Sequence, residues 1–217
     1  MYNKNIHIYN YEIKLKERVK ITAICLVRHG ETDWNSLGKL QGRTDIPLNS
    51  RGISQAEECS HFLKNYEWDM IITSPLKRAK ETAEVINKDL NIPLIEMDEF
   101  LERYFGDAEG MTVEERMTVF PTRNYTNQED RDSLNERIMN GIEKINQDYR
   151  GKKILLVAHG AVINAVLAKF SNGEIGSGKT KLINACISNI EFVQELWNIK
   201  DYNQVTHLSQ YSEEGRI

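Results

Sequence analysis

The sequence predicts an α/β fold, a three-layer sandwich with a mostly parallel central sheet flanked by helices. Two observations carry that expectation. Short apolar runs rich in branched residues alternate with longer stretches whose apolar residues recur at helical spacing. Two of the runs, Ile24-Cys25-Leu26-Val27-Arg28-His29-Gly30 and Ile154-Leu155-Leu156-Val157-Ala158-His159-Gly160, end in His-Gly. Such runs suit strands buried on both faces of a parallel sheet. Ligands of these sheets bind beyond the carboxyl ends of the strands, so both imidazoles and Arg28 are expected at one edge, facing an anion, most simply a phosphate.

The elements follow in order. Residues 1–20 show no clear periodicity and are expected to be an N-terminal extension ahead of one domain spanning 21–211. The first strand is expected at 23–28. Apolar residues at 56, 59, 62, 63 and 66 mark a helix over 54–66, and 68–72 reads as the next strand. Ser74 is placed to cap the following helix, with Pro75 at its first position. That helix repeats Leu76, Ala79, Ala83, Ile86 and Leu90. Residues 92–97 form a short strand, at an edge or strand start because of Pro93. The stretch 100–130 is polar and irregular, with one short helix near 112–118, as in an excursion that covers a site. Leu134, Ile138, Ile142, Ile145 and Tyr149 mark a long helix ended near Gly151. After the 154–157 strand, 161–170 is helical, 186–193 and 204–208 are late strands, and 212–217 is a frayed tail.

Composition narrows the function. The chain has 217 residues, 40% hydrophobic and 28% charged, which is ordinary for a soluble protein with a sizeable core. A net charge of −4 argues against a general nucleic-acid binder. No apolar run approaches a membrane span, and Met1 to Lys20 lack the apolar core of a signal peptide, so a cytoplasmic location without membrane partners is expected. Cys25, Cys59 and Cys186 fit neither a zinc pattern nor a disulfide framework and read as free thiols in a reducing compartment. Five histidines with no close pair do not suggest a dedicated metal site.

Chemistry can be assigned to the strand-end residues. A neutral imidazole is a competent nucleophile toward phosphorus, and His29 is followed by Gly30, which permits close backbone approach. Arg28 and Arg78 can clamp phosphate oxygens by forked hydrogen bonds, and Arg78 lies in the first turn of a helix whose dipole favours anions. His159, protonated beside a dianion, would stabilise the equatorial oxygens of the transition state. Asn35 and Gln41 can offer neutral donors. A proton for the leaving oxygen must come from an acid, and spacing does not choose among Asp98, Glu99, Glu102 and Glu109. Glu31 is expected to orient its loop.

Several segments resemble one family. Arg28-His29-Gly30-Glu31-Thr32-Asp33-Trp34-Asn35 is similar to the signature of the histidine phosphatase superfamily, also called phosphoglycerate mutase-like. Gln41-Gly42-Arg43-Thr44-Asp45-Ile46-Pro47-Leu48-Asn49, Ile72-Thr73-Ser74-Pro75-Leu76-Lys77-Arg78-Ala79, Leu101-Glu102-Arg103-Tyr104-Phe105-Gly106-Asp107-Ala108-Glu109-Gly110 and Val157-Ala158-His159-Gly160 resemble its further motifs, in the family's order. The resemblance implies a phosphoglycerate mutase-like fold and two-step phosphoryl transfer. His29, Glu102 and His159 are then catalytic, with Glu102 the general acid. Arg28, Asn35, Gln41, Arg78 and Gly160 bind phosphate, and no metal or cofactor is required. The short, proline-poor 111–130 stretch and the acid-bearing segment look more like the phosphatase branch than the mutases. The expected activity is hydrolysis of a small phosphorylated metabolite. The alternatives are mutase-type phosphoryl transfer and a non-catalytic phospho-ligand binder, which would need neither nucleophile nor acid.

One motif points elsewhere. Gly173-Glu174-Ile175-Gly176-Ser177-Gly178-Lys179-Thr180 matches the P-loop pattern letter for letter. That pattern binds nucleotide only between a strand and a helix, whereas here a helix precedes it, so a plain loop is expected. The segment 181–192 fits strand or helix. Side chains of 100–130 and 171–185, with Tyr104, Phe105 and Arg123 as possible contacts, are expected to shape the leaving-group side.

Overall fold

The computed structural model describes residues 21–211. The expected extension 1–20 and tail 212–217 lie outside the described residues. A six-stranded sheet is built from β1 (Thr22–Arg28), β2 (Met70–Thr73), β3 (Leu94–Glu96), β4 (Lys153–Ala158), β5 (Ile187–Val193) and β6 (Leu196–Gln204), in the order β3-β2-β4-β1-β5-β6. The β3, β2, β4 and β1 neighbours pair in parallel, and β5 is antiparallel to both β1 and β6. Short β3 occupies an edge, where Pro93 costs no ladder hydrogen bond.

Helices flank the sheet: α1 (Asp33–Ser36), α2 (Ser50–Leu63), α3 (Lys77–Leu90), α4 (Val113–Val119), α5 (Arg131–Asp148) and α6 (Gly160–Phe170). Helix α2 packs on α3, and α5 on α6. Their apolar stripes, including Cys59, Leu63, Ala83, Ile86, Ile138, Ile142, Val162 and Val166, join Ile24, Leu26, Ile71, Ile72, Leu155 and Val157 in one core. Each such fully buried aliphatic side chain contributes about 1.5–3 kcal/mol.

Three sequence expectations are corrected. Helix α3 begins at Lys77 with Leu76 as N-cap and no side-chain cap; the Ser74 hydroxyl accepts from the Leu76 N–H at 3.4 Å, ahead of the helix, and meets His159 Nε2 at 2.8 Å. Helix α2 begins at Ser50, four residues before the expected start at 54, because Asn49 caps it by accepting from the Gly52 N–H at 2.8 Å. The last strand is 196–204, not 204–208; its alternating burial spreads the pattern over too few apolar residues to read, and Val205 to Leu208 make a turn.

The register of the sheet sets up everything that follows. Arg28 pairs with Ala158, and Thr73 with Val157. The residues just beyond, His29, His159 and Ser74, therefore leave three adjacent strand ends side by side. The hairpin β5–β6 turns through Gln194 and Glu195, at φ 52° and 62°. Left-handed backbone is unfavourable for such residues, by about 1–2 kcal/mol each. The exposed Arg150–Glu195 ion pair offsets little of that, about 0–1 kcal/mol. Replacing Gln194-Glu195 with Asn-Gly is thus expected to raise stability by about 1 kcal/mol, read from the denaturation midpoint.

Candidate active site

His29 is 3% exposed, and its Nδ1 lies 2.7 Å from the Gly30 carbonyl oxygen. A carbonyl only accepts, so Nδ1 carries the proton and Nε2 carries the lone pair. Nε2 in turn accepts from Arg78 Nε at 3.3 Å. Burial, followed by the charges of Arg78 and Arg28, holds the imidazole well below its ordinary pKa, so the ring is neutral at physiological pH. Gly30 is dictated by space: a Cβ there would lie 2.9 Å from Gly52 Cα, at the start of α2. Thr82 Oγ1 accepts from the Gly30 N–H at 3.1 Å and fixes the turn.

Arg78, in the first turn of α3, is fully buried. Its Nη2 donates to the Gly42 carbonyl at 2.7 Å and its Nη1 to Thr44 at 3.2 Å, which points the guanidinium at His29. Burial lowers its pKa to about 10, with Glu102 the leading charge acting the other way. Arg28 donates through Nη1 to the Leu182 carbonyl. The rings of His29 and His159 lie 5.2 Å apart, and His159 Nε2 meets Ser74 Oγ at 2.8 Å. His159 is also held well below its ordinary pKa, by burial and then by Arg78. Without an anion it is neutral.

Three buried polar atoms of this cluster have no hydrogen-bond partner: Arg28 Nε, Gln41 Nε2 and His159 Nδ1. A buried polar group left unpaired costs about 1–3 kcal/mol, so each of these atoms suits a polar partner brought by a ligand. Gln41 Oε1 is already used, accepting from Thr32 Oγ1 at 2.8 Å, which leaves its amide nitrogen as the free donor. Asn35 is similar. Its Oδ1 accepts from the Thr32 N–H at 3.1 Å and from Asn184 Nδ2 at 3.2 Å, closing a capping box on α1.

Among the four acids the sequence left open, only Glu102 stands in this cluster. It is 6% exposed; Oε1 accepts from the Arg103 N–H at 2.8 Å and Oε2 from the Ala161 N–H at 3.2 Å, at the start of α6. Burial raises its pKa above the ordinary carboxyl value, against the pull of those N–H groups and the two arginines. Glu109 instead accepts from the N–H groups of Arg43, Thr44 and Phe105 and staples two loops together. Glu99 pairs with Lys144, and Asp98 opens a short 3-10 turn. Glu31 accepts from Asn49 Nδ2 at 3.1 Å, an orienting contact. Gly160 opens α6 between Arg28 and Glu102. A methyl there would meet them at 3.7 and 3.9 Å, ordinary contacts, so space alone does not require glycine.

Sequence reasoning missed Asn184, whose Nδ2 also donates to the His29 carbonyl at 3.1 Å, and it misread Ser74 as a cap. Nothing local marks Asn184, which reaches the site from 155 positions away. The P-loop-like stretch follows α6 and forms turns, with Lys179 Nζ donating to the Gly173 carbonyl at 2.6 Å. It joins no strand to a helix. Cys25, Cys59 and Cys186 are free and buried, and among the described residues no group of His, Cys, Asp and Glu is arranged to hold a metal ion. No helix among them is long and apolar enough to cross a membrane.

The buried histidines predict a pH response. His29, His159 and His207 all have folded pKa values lowered chiefly by burial. The unfolded chain takes up their protons near the ordinary value of about 6.5 while the folded chain does not. Their contribution is complete above that value and is lost as pH falls below it. Glu102, with a raised folded pKa, has the opposite sign: its contribution is present at low pH and lost as pH rises through its folded value. With three groups against one, the melting temperature is expected to fall between about pH 7 and pH 5. His159→Gln is expected to flatten that slope.

Known proteins resemble this chain over most of its length. Residues 24–205 match the model of the histidine phosphatase superfamily (branch 1). The chain is 55% identical over 191 residues to the uncharacterized phosphatase PhoE of Bacillus subtilis (strain 168), covering 88% of this chain and 99% of that protein. It is 32% identical over 216 residues to a metal-independent phosphoserine phosphatase of Arabidopsis thaliana, covering 91% and 90%. Among solved structures, Bacillus stearothermophilus YhfR superposes with a TM-score of 0.80 at 26% identity, over 86% of this chain and 98% of that one. With its two strand-end histidine rings 5.2 Å apart and Arg78 in contact with His29, the chain belongs to the histidine phosphatase superfamily.

Proposed function

We propose that the protein hydrolyses a small phosphorylated metabolite, without a metal, through a phosphoryl group carried on His29. The observation that carries this reading is the state of His29: neutral, with Nδ1 fixed on the Gly30 carbonyl and the Nε2 lone pair directed at Arg78. An arriving phosphate takes the Arg78 donor and so frees that lone pair. Arg28, Gln41 and His159 then gain acceptors for the atoms that lack partners. His159 acquires its proton alongside the dianion and binds an equatorial oxygen. Asn35 Nδ2 and the Gly160 N–H complete the cradle.

In the first step the Nε2 lone pair forms the N–P bond as the P–O ester bond breaks, and Glu102 gives its proton to the leaving oxygen. Charge gained by the ring is stabilised by its Nδ1–H bond to the Gly30 carbonyl. In the second, Glu102 takes a proton from water as that oxygen attacks phosphorus, the P–N bond breaks, and His29 returns neutral. The raised pKa of Glu102 suits both directions of transfer.

Relatives named as phosphatases, at 55% and 32% identity, support hydrolysis over mutase-type transfer. The second is named for phosphoserine, which makes a phosphorylated amino acid a first choice of substrate. The unpaired thiols suit a cytoplasmic location. The test is phosphate release from an aryl phosphate in EDTA. Steady release supports a metal-independent hydrolase. Activity that disappears with EDTA contradicts metal independence, and transfer only to an added phosphoglycerate would favour the mutase.

A further inference from the structure

Glu102 sits in a stretch, 101–105, with no helix or strand to hold it. An acid that must meet a leaving oxygen needs positioning to within about 0.5 Å. The carbonyls around it need partners as well. Both requirements are met by a cluster that the mechanism above does not use. Arg137, on α5, donates from Nη1 to the carbonyls of Glu99 at 2.9 Å and Leu101 at 2.7 Å, and from Nη2 to that of Glu102 at 3.2 Å. Arg43 Nε approaches the same Glu102 carbonyl at 3.4 Å.

Both guanidiniums are held by one carboxylate. Glu129 accepts from Arg137 Nε at 2.7 Å and Nη2 at 2.9 Å, a two-pronged pairing, and from Arg43 Nη2 at 3.2 Å. Its main chain is tied to the same stretch. The Glu129 N–H donates to the Tyr104 carbonyl at 2.8 Å, and Arg103 Nε donates to the Glu129 carbonyl at 2.9 Å. The Glu129 side chain is 11% exposed, so these contacts are little screened by water. Burial alone would raise its pKa, but the hydrogen bonds and charge of Arg137, with Arg43, hold it below the ordinary carboxyl range.

We infer that Glu129 and Arg137 are positioning residues for the general acid: Glu129 locks the Arg137 fork, and the fork fixes the backbone on which Glu102 stands. Their hydrogen bonds fall on the Glu102 stretch and neither touches His29, so the effect is expected chiefly on proton delivery; the charge by which Arg137 also acts on His159 is retained in Arg137→Lys. The inference rests on the phosphatase reading, with Glu102 as acid.

The experiment compares kcat/KM for an alkyl phosphate, whose poor leaving group needs a proton, with that for 4-nitrophenyl phosphate, whose leaving group does not. Wild type, Glu102→Gln, Glu129→Gln and Arg137→Lys are measured side by side, with thermal melts to establish folding. Glu102→Gln sets the signature of a lost acid, a collapse in the alkyl-to-aryl ratio. Glu129→Gln is expected to lower that ratio about tenfold or more. Arg137→Lys, which keeps the charge and loses the fork, is expected to move it the same way by a smaller factor. If Glu129→Gln lowers both substrates equally, or leaves the ratio at the wild-type value, the inference is overturned while the acid assignment stands. If Glu129→Gln does not fold, Arg137→Lys decides by the same ratio. A normal ratio in Glu102→Gln overturns the acid assignment and the inference together.

Discussion

Replacing His29 with alanine is expected to lower phosphomonoester turnover by about four orders of magnitude or more, because the nucleophile of a two-step transfer has no substitute in the cluster. The His159 ring lies 5.2 Å away between centroids, but its Nε2 is engaged by Ser74. Phosphate capture is expected to survive. Arg28, Arg78 and Gln41 keep their donors, and removing the ring releases Arg78 Nε from its 3.3 Å contact. The variant should therefore bind inorganic phosphate or a substrate in calorimetry while failing to turn it over. Turnover near wild type would sink the nucleophile assignment.

The second large effect belongs to Glu102. Glutamine keeps its shape and its acceptor for one backbone N–H but has no proton to give. Loss of general acid catalysis costs about 10²–10⁴ in rate. The loss should appear in kcat/KM for alkyl esters and be much smaller for aryl esters with good leaving groups. With an aryl ester the first step still proceeds, and the missing base then slows attack by water, so phosphorylated enzyme should build up. In wild type the raised carboxyl pKa should extend activity on alkyl esters to higher pH than an ordinary glutamate would allow. A uniform loss on both ester types would mean that Glu102 binds substrate rather than moving a proton.

The parts of this site legible in the sequence are those fixed by short-range rules. His29 and His159 end apolar runs, and parallel pairing of β1 with β4 in the Arg28–Ala158 register makes them neighbours. Arg78 follows from a strand end and a helical repeat. The choice of Glu102 over Glu99 and Glu109 needed the family resemblance, since only the folded chain shows Glu109 saturated by loop N–H groups and Glu99 paired to Lys144. Ser74 was misjudged because a Ser-Pro pair before a helix reads locally as a cap, while a buried imidazole 85 positions away competes for the hydroxyl. Asn184, Glu129 and Arg137 carry no periodic or motif signal at all. Asn184 and Arg137 make their contacts with backbone carbonyls far away in sequence, and a carbonyl's partner cannot be read from residue identity; Glu129 shows its contacts only once Arg43 and Arg137 are brought to it. The antiparallel hairpin at 187–204 was half-seen for a related reason: β6 alternates between exposed and half-buried positions, so burial leaves little trace in its composition.

The measurement that bears most directly on the central claim is chemical trapping of the phosphorylated enzyme. Glu102→Gln protein is mixed with an aryl phosphate, quenched in alkali, where phosphohistidine survives, and its peptides are weighed. A phosphoryl group on the peptide carrying His29, absent when His29 is alanine, is the predicted result. Turnover by the wild-type enzyme with no trapped phosphoryl group in either protein, or with the group on another side chain, would contradict it.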